Sequence, residues 1–247
     1  MQKILSRVPE VTIYFWIVKI LATTVGETAA DFLSVTLNLG LTLTSYLMSG
    51  VLVILLLNQF RLKQYVPVSY WIVVVFMSIT GTLITDSLVD NLGVSLVTTT
   101  IAFSVVLLVV FALWYSKEKT LAMHSINTNK RELFYWMAIF FTFALGTATG
   151  DLLAEALKLG YAQSALVFGS LIAIITACYY YFKMNGVLAF WLAYILTRPL
   201  GASIGDLLSQ PAKNGGYGLG TTGTSILFLC IIVSLVIYLS FKKKPAS

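Results

Sequence analysis

Four aspartates, Asp31, Asp86, Asp151 and Asp206, stand within apolar sequence at one repeated address. Each follows a tryptophan (Trp16, Trp71, Trp136, Trp191) by fifteen residues and a glycine (Gly26, Gly81, Gly146, Gly201) by five. A small residue, Ala30, Thr85, Gly150 or Gly205, comes immediately before it. A carboxylate inside a lipid-spanning helix is costly and marks a functional site by default. Four at one helical position point to a single shared site.

Other acids gather at the same level. Glu27 lies four residues before Asp31, Asp90 four after Asp86 and Glu155 four after Asp151, and residues four apart share a helix face. Thr24, Thr28, Thr80, Thr82, Thr85, Thr147, Thr149 and Ser203 add hydroxyl oxygens. Carboxylates, hydroxyls and backbone carbonyls form a hard-oxygen environment suited to Mn, Mg or Ca, whereas soft metals prefer thiolate or imidazole. The ion-binding and metal-ligating set is therefore Glu27, Asp31, Asp86, Asp151 and Asp206, with Lys19 and Arg198 as possible charge partners. Arg198 lies three residues before Gly201, near the acidic level. Lys19 is about 18 Å from Asp31 along one helix, too far for direct pairing. The competing reading is structural: the acids cap helix ends or pair with these bases to fix the fold. Asp90 and Glu155 read as solvated ends, and the tryptophans as interfacial belt residues. Cys178 and Cys230 read as free apolar thiols, and His124 as a bystander in a polar loop.

The elements that must position these residues are membrane spans. Of 247 residues, 58% are hydrophobic and 11% charged, well below the quarter or so that soluble domains carry. Apolar runs fit eight spans, near 11–36, 39–60, 69–90, 93–116, 132–157, 160–183, 186–209 and 219–241. Lys3 and Arg7 resemble the opening of a signal peptide, but the stretch that follows is long and contains Lys19, Glu27 and Asp31, so it reads as a retained span. The expected fold is an all-α integral membrane protein of four parallel two-helix repeats about a pseudo-symmetry axis. It forms a single membrane domain over 1–247, with repeats at 11–60, 69–116, 132–183 and 186–241 and a cytoplasmic linker at 117–131. A closed fourfold ring and a two-by-two arrangement both satisfy the spacing.

Within each pair the connection is short and contains glycine (Gly40, Gly93, Gly160, or the longer run Gly215–Gly220), which can end a helix in the left-handed conformation. Between pairs it is longer and basic. Twelve Lys and Arg, among them Lys3, Lys243 and Lys244, fall on the terminal and between-pair side, against Lys158 and Lys213 on the other. That bias places both termini in the cytoplasm. The net charge of +6 thus belongs to membrane topology and implies no nucleic-acid partner. Gly216-Tyr217-Gly218 superficially suits a potassium filter, but such filters need four copies and one is present. Each glycine of the repeated phrase is followed four residues later by the small residue before the aspartate, a pattern that lets helices approach closely. Pro199 is the place to expect a kink.

Four tandem two-span repeats with a tryptophan in the same place resemble a family of bacterial multi-pass membrane proteins known as a repeat of unknown function. The resemblance spans about 11–241, rests on the Trp, Gly and Asp positions above, and implies the bacterial inner membrane. The fourth copy departs by its long glycine-rich turn and the first by its extra Glu27.

The residues point to a cation transporter, most concretely for a Mn-like divalent metal, with protonation of the carboxylates coupling flux to a proton gradient. The alternative is a proton-coupled carrier of a small organic cation. An aspartate-based intramembrane hydrolase needs two acids alone, but no other catalytic motif accompanies them, and the chain reads as no enzyme. No permanently bound cofactor is expected. The expected partners are the lipid bilayer and a metal ion or proton; the sequence leaves the oligomeric state open.

Overall fold

The computed structural model describes residues 6–242, with side chains to 241. Lys3, Lys243 and Lys244, used in the charge count, lie outside the described residues. Eight helices are long and apolar enough to cross a membrane: α1 (Ile13–Asp31), α2 (Leu41–Arg61), α3 (Pro67–Asp86), α4 (Leu96–Glu118), α5 (Asn129–Asp151), α6 (Tyr161–Tyr181), α7 (Gly186–Ser209) and α8 (Gly220–Lys242). The described residues contain no strand. The chain is a multi-pass, all-helical membrane protein, and its helices fall within a few residues of the spans read from hydropathy.

Odd helices start on local signals. Thr12 and Thr128 accept hydrogen bonds from Phe15 N and Arg131 N, Asn185 Oδ1 accepts from Val187 N and Leu188 N, and Pro67 opens α3. Side-chain caps and a first-turn proline satisfy or remove the donors that a helix start leaves free. The odd helices then continue beyond their aspartates. After Asp31, Asp86 and Asp151 the coil widens into a single π-helical turn, at Phe32–Thr36, Ser87–Asn91 and Leu152–Ala156. α7 has no such turn and runs as α-helix past Asp206 and through Pro199.

The four odd helices form a closed ring, α1–α3–α5–α7–α1, and the even helices surround it. Burial follows: 56–61% of each inner span is buried, against 11–22% of each outer one. The ring settles the choice left open by the sequence in favour of a pseudo-fourfold arrangement. Each outer helix packs chiefly on the inner helix of the next repeat: α2 on α3, α4 on α5, α6 on α7, and α8 back on α1. The repeats are thus interlocked rather than set side by side.

Two contacts recur around the ring. A Cβ added to Gly26 would fall 1.8 Å from Ser78 Oγ, at Gly81 2.9 Å from Phe143 Cβ, at Gly146 2.3 Å from Arg198 Cγ, and at Gly201 1.8 Å from Thr23 Oγ1. Ser78, Phe143, Arg198 and Thr23 hold the same repeat position, seven residues after their tryptophans. The glycine of each repeat is therefore the notch that receives the next inner helix. Near the other end, Phe15, Tyr70, Tyr135 and Phe190 each pack on the next tryptophan: Trp71 at 5.7 Å, Trp136 at 5.4 Å, Trp191 at 6.2 Å and Trp16 at 5.6 Å between ring centroids. This corrects the belt reading of the tryptophans. Trp71, Trp136 and Trp191 are buried between helices, because each ring is needed to close the contact with its neighbour.

The short turns carry positive φ at Gly40, Gly93 and Gly160, a backbone region that glycine enters without steric cost. Gly40 and Gly160 stand at the start of the following helix instead of ending the preceding one. The fourth turn is tied down by Tyr217 N to Leu207 O and Gly218 N to Gln210 O.

Candidate functional site

Aligned on their tryptophans, the inner helices present one residue per turn to the ring axis, at positions three, seven, eleven and fifteen after Trp. From the Trp end to the Asp end the layers are Lys19, Val74, Ile139, Tyr194; then Thr23, Ser78, Phe143, Arg198; then Glu27, Thr82, Thr147, Ala202; then the four aspartates. The first three layers are buried throughout. Steps of four residues keep side chains on one helix face, so the repeat spacing itself stacks these groups.

Arg198 holds the middle of the ring. Its guanidinium donates to Glu27 Oε2 at 2.7 Å, to Thr147 Oγ1 at 2.8 Å, to Thr82 Oγ1, and to the backbone oxygen of Thr23 at 3.3 Å. One side chain from α7 thereby binds α1, α3 and α5 together, with no exposed surface of its own. Thr82 Oγ1 also lies 3.4 Å from both Glu27 Oε2 and Thr147 Oγ1. A buried ion pair is favourable only when further hydrogen bonds satisfy both partners, and the two threonines and the Thr23 carbonyl supply them.

Above this network, carboxylate oxygens of Glu27, Asp151 and Asp206 lie within 4.8 Å of one another. They come from α1, α5 and α7. Glu27 is one turn below the aspartate level, and its longer side chain meets Asp151 and Asp206 there. Asp31 and Asp86 hold the equivalent register on α1 and α3 but take part in no such three-acid cluster among the described residues. Asp31, Asp86 and Asp151 are half-buried, and Asp206 is buried. The Asp end is thus reachable by solvent. The opposite end is filled by Phe15, Tyr70, Tyr135 and Phe190, with the Tyr70 and Tyr135 hydroxyls hydrogen-bonded to each other.

The two basic candidates part company. Arg198 pairs with Glu27, whereas Lys19 pairs with no acid: its Nζ lies 4.2 Å from the Phe143 ring centroid and 4.3 Å from that of Tyr194. Asp90 and Glu155 are exposed, as expected of solvated ends. Among the hydroxyls, Thr82 and Thr147 belong to the site, Thr24, Thr28 and Thr149 bond to carbonyls of their own helices, and Thr85 donates to Ala144 O across to α5.

Sequence reasoning missed Glu132. It is fully buried near the Trp end, paired with Arg7 at 2.8 Å and hydrogen-bonded by Gln59 and Trp136. Arg7 N donates to Ile126 O, and Ser6 O accepts from Tyr65 N, so this cluster pins the segment before α1 under the ring. The available signal was an acid in an otherwise basic flank, beside a tryptophan one turn away.

A cavity of about 830 Å³ opens between α1, α6, α7 and the central linker, lined by Trp16, His124, Tyr180 and Phe190 among others, with no carboxylate among its lining residues. It is separate from the acidic cluster.

A family model described as Repeat of Unknown Function (DUF347) matches the chain four times, at residues 14–65, 69–120, 134–185 and 189–245. Each match starts two residues before the tryptophan of its repeat. No curated protein and no solved structure matches the chain.

Proposed function

The chain belongs to this family of unknown-function repeats, and from its axial site we propose that it is a transporter of hard divalent cations, manganese above all, in the bacterial inner membrane. The observation that carries the proposal is the convergence of Glu27, Asp151 and Asp206 from three helices. Oxygens on opposite sides of an ion, at about 2.2–2.4 Å each, stand about 4.4–4.8 Å apart. The cluster needs little closure to grip such an ion. Thr82 and Thr147 add neutral oxygens, and no thiol or imidazole competes. If ionised, the three carboxylates and Arg198 together carry two negative charges, which a divalent cation neutralises.

Arg198 is the resident counter-charge of the cluster. A cation arriving from the Asp end competes with it for Glu27. The aromatic layer at the Trp end has to part before the ion can leave, and rocking of the inner helices around a midplane site is the way repeat-built transporters achieve this. With the basic flanks inside, the Asp end is external. Protons compete for the same carboxylates, so a proton gradient can drive the exchange. The organic-cation reading has less support, because the 830 Å³ cavity lacks a carboxylate and a smaller one of about 430 Å³, lined by Glu10, Tyr65 and Trp71, lies at the Trp end away from the acidic cluster.

The test is calorimetric titration of the detergent-purified protein with Mn, Mg, Ca and Zn, beside an Asp151→Asn, Asp206→Asn variant. Saturable Mn binding that disappears in the variant is the expected result. A folded wild-type protein that binds none of these ions would end the metal reading.

A further inference from the structure

One buried ionisable side chain on the axis takes no part in the acidic cluster. Lys19 lies two turns from Glu27 toward the Trp end, fully buried, and its Nζ has no hydrogen-bond partner. The rings that flank it belong to α5, diagonally across the ring, and to α7, so the amine sits on the axis itself. Three more buried polar atoms in these two layers are also without partners: Tyr194 OH, Ser78 Oγ and Arg198 Nε. Orphaned polar atoms in successive layers are the kind of lining that bound water satisfies. Toward the Trp end follow the paired hydroxyls of Tyr70 and Tyr135 and then the Glu132–Arg7 pair.

Arginine keeps its charge in proteins, and Arg198 is held by four acceptors, so it cannot carry a proton along this line. Lysine can. We propose that Lys19 is the proton-carrying site of the transport axis, exchanging its proton against the metal ion held at Glu27, Asp151 and Asp206. The inference rests on the transport reading and adds the coupling to it. An ion moving from the cluster toward the Trp end must pass between Phe143 and Tyr194, where Nζ lies. Two positive charges a few ångströms apart in a water-poor layer repel strongly, so the ion passes when Lys19 has released its proton. That proton leaves Nζ toward the Asp end, opposite to the ion, and after the ion has gone the ammonium re-forms with a proton relayed from the Trp end by the Tyr70–Tyr135 hydroxyls. Of the charged or ionisable groups on the helices packed about it, Tyr194 on α7 shares its layer, Arg198 on α7 lies one turn and Glu27 on α1 two turns toward the Asp end with the four aspartates beyond, and Tyr70 on α3 and Tyr135 on α5 lie one turn toward the Trp end with Glu132 beyond.

The full chain is reconstituted into vesicles containing a pH-sensitive dye, and Mn is added outside. Wild type should move protons against Mn, with a pH-dependent rate. Lys19→Met, and Lys19→Gln should the first variant fold poorly, should keep calorimetric Mn binding. In them Mn-driven proton movement should fall by about a hundredfold, the scale of losing one proton-transferring side chain, and the pH dependence of Mn flux should flatten. A variant that moves protons like wild type overturns the proposal and leaves metal transport standing. Loss of Mn binding by wild type strikes the metal reading instead. The exchange against metal falls with it, and the proton-carrying role of Lys19 is then tested by NMR of lysine labelled with ¹³C at Cε: a Lys19 signal that responds to pH across the range in which the protein is stable supports that role, and an unresponsive signal ends it.

Discussion

Gly146 on α5 makes room for Arg198 on α7: a Cβ at Gly146 would fall 2.3 Å from Arg198 Cγ and 2.5 Å from its Cβ. The notch is part of the site, because Arg198 reaches Glu27, Thr82 and Thr147 from this position. Gly146→Ala should destabilise the protein by about 1–3 kcal/mol, the usual cost of overpacking, and weaken any binding at Glu27. Gly50→Ala, inside α2 with open space around it, should leave binding unchanged and raise stability by up to about 1 kcal/mol, the helix-propensity difference. Thermal unfolding in detergent distinguishes the two.

Removing the guanidinium should cost more. Arg198→Met leaves Glu27 buried beside two threonines, and breaking a buried pair costs about 3–5 kcal/mol. Changing both partners, Arg198→Met with Glu27→Gln, should recover a large part of that loss. A double mutant as unstable as Arg198→Met alone would show that the arginine acts through Thr82, Thr147 and the Thr23 carbonyl rather than through the ion pair.

The acids should separate by location. Asp151→Asn and Asp206→Asn should each lower Mn affinity by at least about tenfold, in line with loss of a direct ligand, whereas Asp90→Asn, at an exposed position, should leave it within error. For every variant that binds, affinity should fall as pH is lowered, since protons and metal compete for the same oxygens. Titrations at three pH values test both statements. Equal losses at Asp90 and Asp206 would indicate a diffuse surface field instead of a site.

At the Trp end, Arg7→Ala leaves Glu132 buried without its charge partner. Hydrogen exchange should then rise at residues 6–12, which are tied to Ile126, Tyr65 and Asn129 through the same segment. Glu132→Gln in addition should restore part of the protection, since it removes the stranded charge. No change in exchange would mean that Val8, buried in the core, holds the segment by itself.

Orientation is open to a direct check. In a background lacking Cys178 and Cys230, a cysteine replacing Asn91 should react with an impermeant maleimide added outside cells, and one replacing Lys117 should not. The reverse pattern would invert the topology read from the basic flanks.

The eight spans and the repeat were legible because hydropathy and the Trp–Gly–Asp spacing are local signals. The acidic level was legible for the same reason. What spacing could not supply was the handover between repeats. Nothing in the sequence of α2 says that it packs on α3 rather than on α1, since both faces are apolar. The asymmetry of the cluster was also hidden. Glu27 replaces a threonine of other repeats in its layer, and its length and its attraction to Arg198 bring it to Asp151 and Asp206 in place of Asp31 or Asp86. Lys19 was misleading as a charge partner, because its distance from the acids could be read but its seat between two aromatic rings, from helices far apart in sequence, could not.

The return of α8 onto α1 has a consequence for biosynthesis. While the chain is being made, α1 enters the bilayer with its outer face uncovered and its Glu27, Thr23 and Lys19 without the helices that shelter them. Arg198, the partner of Glu27, is inserted three repeats later, after roughly ten to forty seconds at ordinary ribosome speeds of about 5–20 residues per second. The nascent first repeat is therefore a natural client for an insertase or chaperone that shields polar helices, and a truncated product lacking α7 and α8 is a natural target for membrane quality control.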